Sequence, residues 1–144
     1  MLETAGEENK DELSERYEFE AVKDCDLKIF EKFILGDLEI PALSVKFDPF
    51  ERHIAASFYD GTIKLFDGGN GKLKSIMNVD INPEYAVSNI RWRPMESLGE
   101  GESLLSVDVM GNIKRWDIEK GKERACVNLP DVQLSALDYK PDGL

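Results

Sequence analysis

The chain has few of the residues on which most catalytic and metal-binding sites are built. Its 144 residues include a single histidine, His53, and two cysteines that match no zinc or redox spacing. No Gly-x-Ser-x-Gly nucleophile motif is present, and no spacing among the many carboxylates pairs two of them on one site. Cys25 and Cys126 lie in apolar strand contexts and are interpreted as small buried hydrophobic residues. These absences predict a protein that is not an enzyme and that holds no metal and no cofactor.

Long apolar runs and an excess of positive charge are also missing. No apolar run is long enough to span a membrane, and the first residues lack the basic and apolar regions of a signal peptide. Asp and Glu number 29 against 18 Lys and Arg, a net charge of −11, which argues against binding to a nucleic-acid backbone. Residues 1–16 are predicted to form an acidic tail, disordered or briefly helical, that solubilises the chain or contacts a basic partner. The composition predicts a cytoplasmic protein and leaves a nuclear or ciliary location open.

What the chain does contain is a repeat. Tyr59–Asp67 and Val109–Asp117, 50 residues apart, each begin with a glycine turn, continue as an alternating strand and end in an aromatic residue followed by Asp. A Gly-Lys turn follows each stretch, at Gly71 and at Gly121. A period of this length is typical of β-propeller blades.

The repeat extends upstream into a second strand pattern that ends in proline. Leu43–Pro49, Ser88–Pro94 and Leu134–Pro141 alternate apolar with polar residues and place an aromatic residue two positions before the proline. Proline cannot donate to a sheet ladder, so it marks the end of a strand. These patterns divide the chain into one repeat at 40–85, a second at 86–132, and the first strand of a further repeat at 133–144.

These units resemble WD repeats. The resemblance rests on the Trp116-Asp117 dipeptide, on its copy Phe66-Asp67 and on the run Asp60–Leu65, and it covers about Ile40 to Leu144. It implies an all-β chain that is a partial β-propeller of four-stranded antiparallel WD-repeat-like blades. The residues expected to have structural roles are Asp60, Phe66, Asp67, Trp92, Trp116 and Asp117.

The chain departs from the WD pattern in two ways. Neither repeat has the Gly-His that often precedes the first strand, and Met110 replaces in the second repeat the turn aspartate that is Asp60 in the first. The buried polar network that the resemblance implies is therefore incomplete, so we expect the blades to depend on apolar packing.

A fainter unit is predicted at 17–39, either a partial blade or a hairpin that packs on the first repeat. Tyr17–Val22 alternates as a half-buried strand does, and Asp26–Glu31 aligns with the strand that ends at Asp67.

Basic residues cluster beside both tryptophans. Arg beside an aromatic residue can anchor an interface. The basic group near 114–124 is therefore predicted to bind an acidic protein surface. The alternative is that the tryptophans are core residues flanked by cations at the blade edges. The predicted partner-binding residues are Arg91, Arg93, Lys114, Arg115, Lys120, Lys122 and Arg124.

The predicted blades are too few to close a ring, because a propeller has at least four. We expect the uncovered edges to be completed by further blades of a larger protein, by copies of this chain, or by a partner, and we favour the first. The predicted function is a non-catalytic protein–protein interaction scaffold within a multi-subunit assembly. The alternatives are a structural protein that joins partners through an exposed edge strand, at Leu134–Tyr139 or Tyr17–Val22, and an enzyme on a propeller scaffold.

Overall fold

The described part of the chain is built from β-strands. The computed structural model describes residues 34–35, 39–77, 85–94, 101–141 and 143, all within the second of two compact units, Met1–Lys32 and Phe33–Leu144. The strands of the first sheet are β1 (Ala42–Phe47), β2 (His53–Phe58), β3 (Ile63–Asp67) and β4 (Leu73–Met77). Those of the second sheet are β5 (Val87–Trp92), β6 (Ser103–Asp108), β7 (Asn112–Asp117) and β8 (Lys122–Asn128).

Both sheets are antiparallel, and their strands lie in chain order. This confirms the predicted all-β class with four-stranded antiparallel sheets. None of the described residues forms a helix long and apolar enough to cross a membrane. The acidic tail at 1–16 and the strands predicted between Tyr17 and Glu31 lie outside the described residues.

The two sheets are structural copies of one another. The β2–β3 register begins with His53 opposite Asp67, and the β6–β7 register begins with Ser103 opposite Asp117, 50 residues later in both strands. Irregular pairing falls at Ala42/Ser44 and again at Val87/Asn89. It also falls at Leu65/Phe66 and Arg115/Trp116. Because a bulge changes local twist and fixes register, its recurrence at matching positions shows that the two sheets share one design.

Aspartates hold the tight turn of each sheet. Asp60 Oδ1 accepts from the backbone N–H of Thr62 at 3.0 Å and from its hydroxyl at 2.7 Å. In the second sheet Asp108 does this work, because its Oδ1 accepts from the N–H groups of Met110 and Asn112, both at 2.9 Å. The turn that has Met110 in place of the aspartate is therefore stabilised by the side chain of Asp108, two residues earlier.

A single apolar core joins the sheets face to face. Trp92 crosses it and donates its indole N–H to the backbone oxygen of Lys46 on β1 at 3.0 Å. Ile63, Ile90 and Leu104 are fully buried there. The inter-sheet core consists of Ala55, Ile63, Leu65, Met77, Val87, Ile90, Trp92, Leu104, Trp116 and Ile118. On the other side of the first sheet, a smaller cluster of Ile54, Ala56, Phe58 and Phe66 packs against Leu35 and Ile40.

The chain after β8 folds back along the second sheet. The N–H of Leu129 donates to the oxygen of Gly111 at 2.9 Å, and the N–H of Leu134 donates to the oxygen of Asp108 at 3.3 Å. Within the described residues 133–141 form no strand, so their assignment to a further repeat stays a prediction.

The predicted burial of Cys126 is wrong. This residue is exposed because β8 is an edge strand with neither face covered, and all seven of its residues are exposed. Cys25 lies outside the described residues.

Candidate functional site

A groove opens between the two sheets at the end where the β1–β2 and β7–β8 turns lie. It has a volume of about 590 Å³ and receives side chains from both sheets. Its ionisable lining residues are Arg52, His53, Lys74, Glu102, Glu119 and Lys120. We refer to it as the inter-sheet groove.

The β1–β2 turn sets the position of the first-sheet residues in this groove. Asp48 Oδ1 accepts from the N–H of His53 at 3.1 Å, and the N–H of Asp48 donates to the oxygen of His53 at 3.0 Å. Glu51 takes the left-handed conformation, with φ 58°, which is strained for a residue with a side chain. Gly68 rests on this turn so closely that a Cβ there would lie 2.3 Å from the oxygen of Glu51. The turn is therefore held rigidly in place.

Three acidic and imidazole side chains converge at the wall of the groove. His53 Nδ1 lies 3.7 Å from Asp48 Oδ2 and 3.5 Å from Glu102 Oε2, with Glu102 coming from the second sheet. The Asp48 side chain is fully buried, and those of His53 and Glu102 are 15% and 27% exposed. These three residues form the Asp48–His53–Glu102 cluster.

Arg52 supplies the positive charge nearest to this cluster. Its Nε lies 3.6 Å from Asp48 Oδ2, and its Nη2 contacts Glu102 Oε1. The guanidinium also lies over the ring of Phe50, 4.5 Å from its centroid. Because the Arg52 side chain is 55% exposed, this charge is in contact with solvent while the carboxylate of Asp48 is not.

Lys74 fixes the protonation of the histidine. Its Nζ lies 3.1 Å from His53 Nε2, and an ammonium group can only donate, so Nε2 accepts and the ring proton sits on Nδ1. Burial, followed by the charge of Lys74, lowers the pKa of His53 below 6.5. His53 is therefore neutral at pH 7, and its ring stacks on Trp92 with centroids 6.3 Å apart.

Two polar atoms of the cluster, Asp48 Oδ2 and His53 Nδ1, are buried and lack a hydrogen-bond partner among the described residues. Glu102 Oε1 is also buried, and it is in contact with the Arg52 guanidinium. Buried polar atoms are almost always satisfied, so this concentration of exceptions at one place marks a functional candidate. One imidazole nitrogen and two carboxylates within 4.8 Å of one another are a donor set for a divalent cation.

This cluster was not predicted from the sequence, where no spacing pairs two carboxylates on one site, yet the structure brings Asp48 and Glu102 together. Asp48 and Glu102 come together only because the two sheets pack, and one of the three ligand types was discounted for want of a second histidine. The repeat itself held a usable signal. Arg52 and Glu102 are 50 residues apart and precede β2 and β6 directly, so they had to lie at the same end of neighbouring sheets.

Two of the aspartates expected to have structural roles, Asp67 and Asp117, accept hydrogen bonds from backbone amides of the turns that follow them. Asp67 Oδ1 accepts from the N–H groups of Gly69 and Asn70 at 2.9 and 3.1 Å, and these bonds lower the pKa of Asp67 below 3.8. Asp117 Oδ1 accepts from the N–H of Lys120 at 3.0 Å, which likewise lowers the pKa of Asp117.

The predicted structural aromatics lie in the cores. Trp92 and Trp116 are both in the inter-sheet core, and the indole N–H of Trp116 donates to Ser106 Oγ at 2.8 Å. Phe66, the counterpart of Trp116, lies in the smaller cluster on the far face of the first sheet.

The seven predicted partner-binding cations do not form one patch. Lys120 lines the inter-sheet groove, and Lys122 and Arg124 lie on the exposed strand β8. Lys114 lies over the ring of Trp116, 5.7 Å from its centroid. Arg91 and Arg115 both pair with Leu105 across the sheet, so they lie on the face opposite to that of Lys114. Arg93 Nε donates to the oxygen of Gly143 at 3.2 Å. Their role in partner binding stays a prediction.

Comparison with known proteins gives no match to this chain, either among protein-family models or among curated proteins.

Proposed function

We propose that this chain is part of a WD-repeat-like β-propeller that acts as a non-catalytic protein–protein interaction scaffold. The observation that carries the proposal is the stacking of two four-stranded antiparallel sheets with matching registers and matching bulges. Sheets that repeat in sequence and stack face to face are typical of propeller blades.

The far face of the first sheet supports the addition of a further blade. Val45 and Phe47 on β1 stand 45 residues before Ile90 and Trp92 on β5, at matching positions of the two sheets. Ile90 and Trp92 are 0% and 8% exposed because they pack on the first sheet, whereas Val45 and Phe47 are 50% and 59% exposed. The β1 part of this face is therefore uncovered, whereas the smaller cluster on β2 and β3 is buried and packs against Leu35 and Ile40.

A scaffold of this kind binds through turns and edges held on rigid sheets. The inter-sheet groove offers charged side chains of both signs on turns fixed by Asp48, Asp67 and Asp117. Lys120 and Lys122 extend this end of the molecule with exposed positive charge. These groups suit a partner protein with an acidic surface.

Solution mass on a sizing column with light scattering tests the propeller part of the proposal. We expect the wild-type chain to self-associate beyond its 16.3 kDa and Phe47→Glu to shift it toward monomer, because the charge interrupts the uncovered docking face. Tyr59→Glu is the control, since Tyr59 is 53% exposed but lies in a turn. A stable wild-type monomer would refute the uncovered-blade argument.

Site-specific photo-crosslinking in the native cell tests the scaffold part. A crosslinker at Lys122 should capture a defined protein, and charge reversal of Lys120 should abolish the capture. A crosslinker at Tyr59, in the turn at the other end of the strands, is the matched control. Equal capture from both positions would contradict binding at the groove end.

Strand addition at β8 is the second candidate function. All seven residues of β8 are exposed, and the strand is outermost in its sheet, as a β-augmentation edge requires. Hydrogen-exchange protection confined to β8 when the partner is added would favour this mode over binding by the turns.

A further inference from the structure

We propose that Asp48, His53 and Glu102 bind a divalent transition-metal ion of the Zn²⁺ class between the two sheets. The proposal rests on the geometry of this cluster and does not depend on the proposed scaffold function.

Two of the three donor-to-donor distances are close to the spacing that a metal ion imposes, and all three donor atoms lie within 4.8 Å of one another. A tetrahedral ion with bonds of about 2.1 Å holds its ligand atoms about 3.4 Å apart. His53 Nδ1 lies 3.7 Å from Asp48 Oδ2 and 3.5 Å from Glu102 Oε2. Only small side-chain rotations are needed to close the three atoms around one ion.

The buried carboxylate of Asp48 points to a missing cation. Its side chain is fully buried, and its Oδ2 has no hydrogen-bond partner among the described residues. A buried carboxylate oxygen without a close partner is unfavourable. Its neighbours Arg52 Nε and His53 Nδ1 stand off at 3.6 and 3.7 Å, so an ion within bonding distance would satisfy this oxygen.

Two cationic side chains of the protein, Arg52 and Lys74, compete with the ion. Each of them has another favourable position when the ion binds. Arg52 now contacts Glu102, but its side chain is more than half exposed, so its guanidinium can turn to solvent. A histidine bound through Nδ1 carries its proton on Nε2, so Lys74 must release that nitrogen. Asp67 Oδ2, 3.6 Å from Lys74 Nζ, takes over the ammonium.

The donor set selects the class of ion. Imidazole nitrogen suits Zn²⁺, Co²⁺ and Ni²⁺, whereas Mg²⁺ and Ca²⁺ prefer all-oxygen sites. The groove beside the cluster supplies water for the remaining coordination position. We therefore expect Zn²⁺ and Co²⁺ to bind and Ca²⁺ not to compete.

The test is titration of the full chain with Zn²⁺ by calorimetry and with Co²⁺ by visible absorption. Trp92, stacked on His53, gives a third readout because bound Co²⁺ quenches a nearby indole. Glu102→Gln should weaken Zn²⁺ binding about a hundredfold and Asp48→Asn at least tenfold. Arg52→Ala should strengthen it about tenfold, since the competing charge is gone.

Glu119→Gln is the matched control, because Glu119 lines the same groove outside the cluster. Circular dichroism melts of each variant separate lost binding from lost folding, and Arg52→Ala keeps the test decisive if Asp48→Asn does not fold. The proposal is overturned if wild-type protein shows no heat and no Co²⁺ band at millimolar metal. It is also overturned if Glu119→Gln weakens binding as much as Glu102→Gln.

Discussion

The buried hydrogen bond between Trp116 and Ser106 allows a stringent test of how the two sheets are stabilised. The indole N–H donates to the serine hydroxyl at 2.8 Å, and the two residues are 4% and 3% exposed. At the matching positions, 50 residues earlier, the first sheet has Phe66 and Ala56. The double variant Trp116→Phe/Ser106→Ala therefore gives the second sheet the pair that the first sheet already uses.

The losses of folding free energy caused by the two single variants should add up to more than the loss caused by the double variant. Ser106→Ala leaves the Trp116 N–H buried without a partner, which costs about 1–3 kcal/mol. Trp116→Phe leaves the serine hydroxyl unpartnered and loses roughly 1 kcal/mol more from the smaller ring. In the double variant no polar group is left alone, so the loss should fall short of the sum by about 1–2 kcal/mol.

Urea unfolding followed by fluorescence and circular dichroism measures these free energies. The control is Ser57→Ala, because Ser57 is fully buried and its hydroxyl has no hydrogen-bond partner among the described residues. Ser57→Ala should leave the free energy of unfolding nearly unchanged, and its effect should be additive with that of Trp116→Phe. Additivity within 0.5 kcal/mol for the Ser106 and Trp116 pair would show that the hydrogen bond has no stabilising role, and the reasoning would fail.

Three further predictions concern turns and the sheet junction. Gly111→Ala should destabilise the protein by about 2 kcal/mol or more, because φ is +81° and a Cβ would lie 2.1 Å from a backbone oxygen. Thermal melts measure this loss, and Gly101→Ala, where a Cβ would meet no atom within 4 Å, is the near-neutral control. Asp67→Asn should be less stable than wild type at pH 7, and the gap should close as the pH falls through the lowered pKa of Asp67, below 3.8; a constant gap in pH-dependent melts would contradict this. Trp92→Phe should cost about 1–3 kcal/mol by removing the bond to Lys46, and proteolysis between the sheets should rise; unchanged proteolysis would contradict a role in joining them.

Much of the fold could be predicted from the sequence because the information is local. Alternation, glycine turns and strand-ending prolines act over a few residues, and each strand pairs with its neighbour in the chain. The predicted aspartate turns at Asp60, Asp67 and Asp117 formed for the same reason, since each carboxylate meets amides two or three residues away.

The candidate site was not predictable in this way because it depends on packing between sheets. His53 and Glu102 are far apart in sequence and meet only when the inter-sheet core forms. The turn role of Asp108 was missed because a one-to-one alignment pointed to position 110, while a side chain two residues earlier reaches the same amides. The exposure of Cys126 depends on whether another segment covers β8, which the residue pattern of that strand does not reveal.

The chain-ordered arrangement of the strands has a consequence for how the protein folds. Each strand of a sheet pairs with its neighbour in the chain, whereas the inter-sheet core and the contacts of the segment after β8 require distant segments to meet. Contacts between segments close in the chain form early in folding, and contacts between distant segments form late because closing a long loop costs more entropy. We therefore expect substitutions in the turns to slow folding, and substitutions such as Leu104→Ala in the inter-sheet core to act mainly by speeding unfolding.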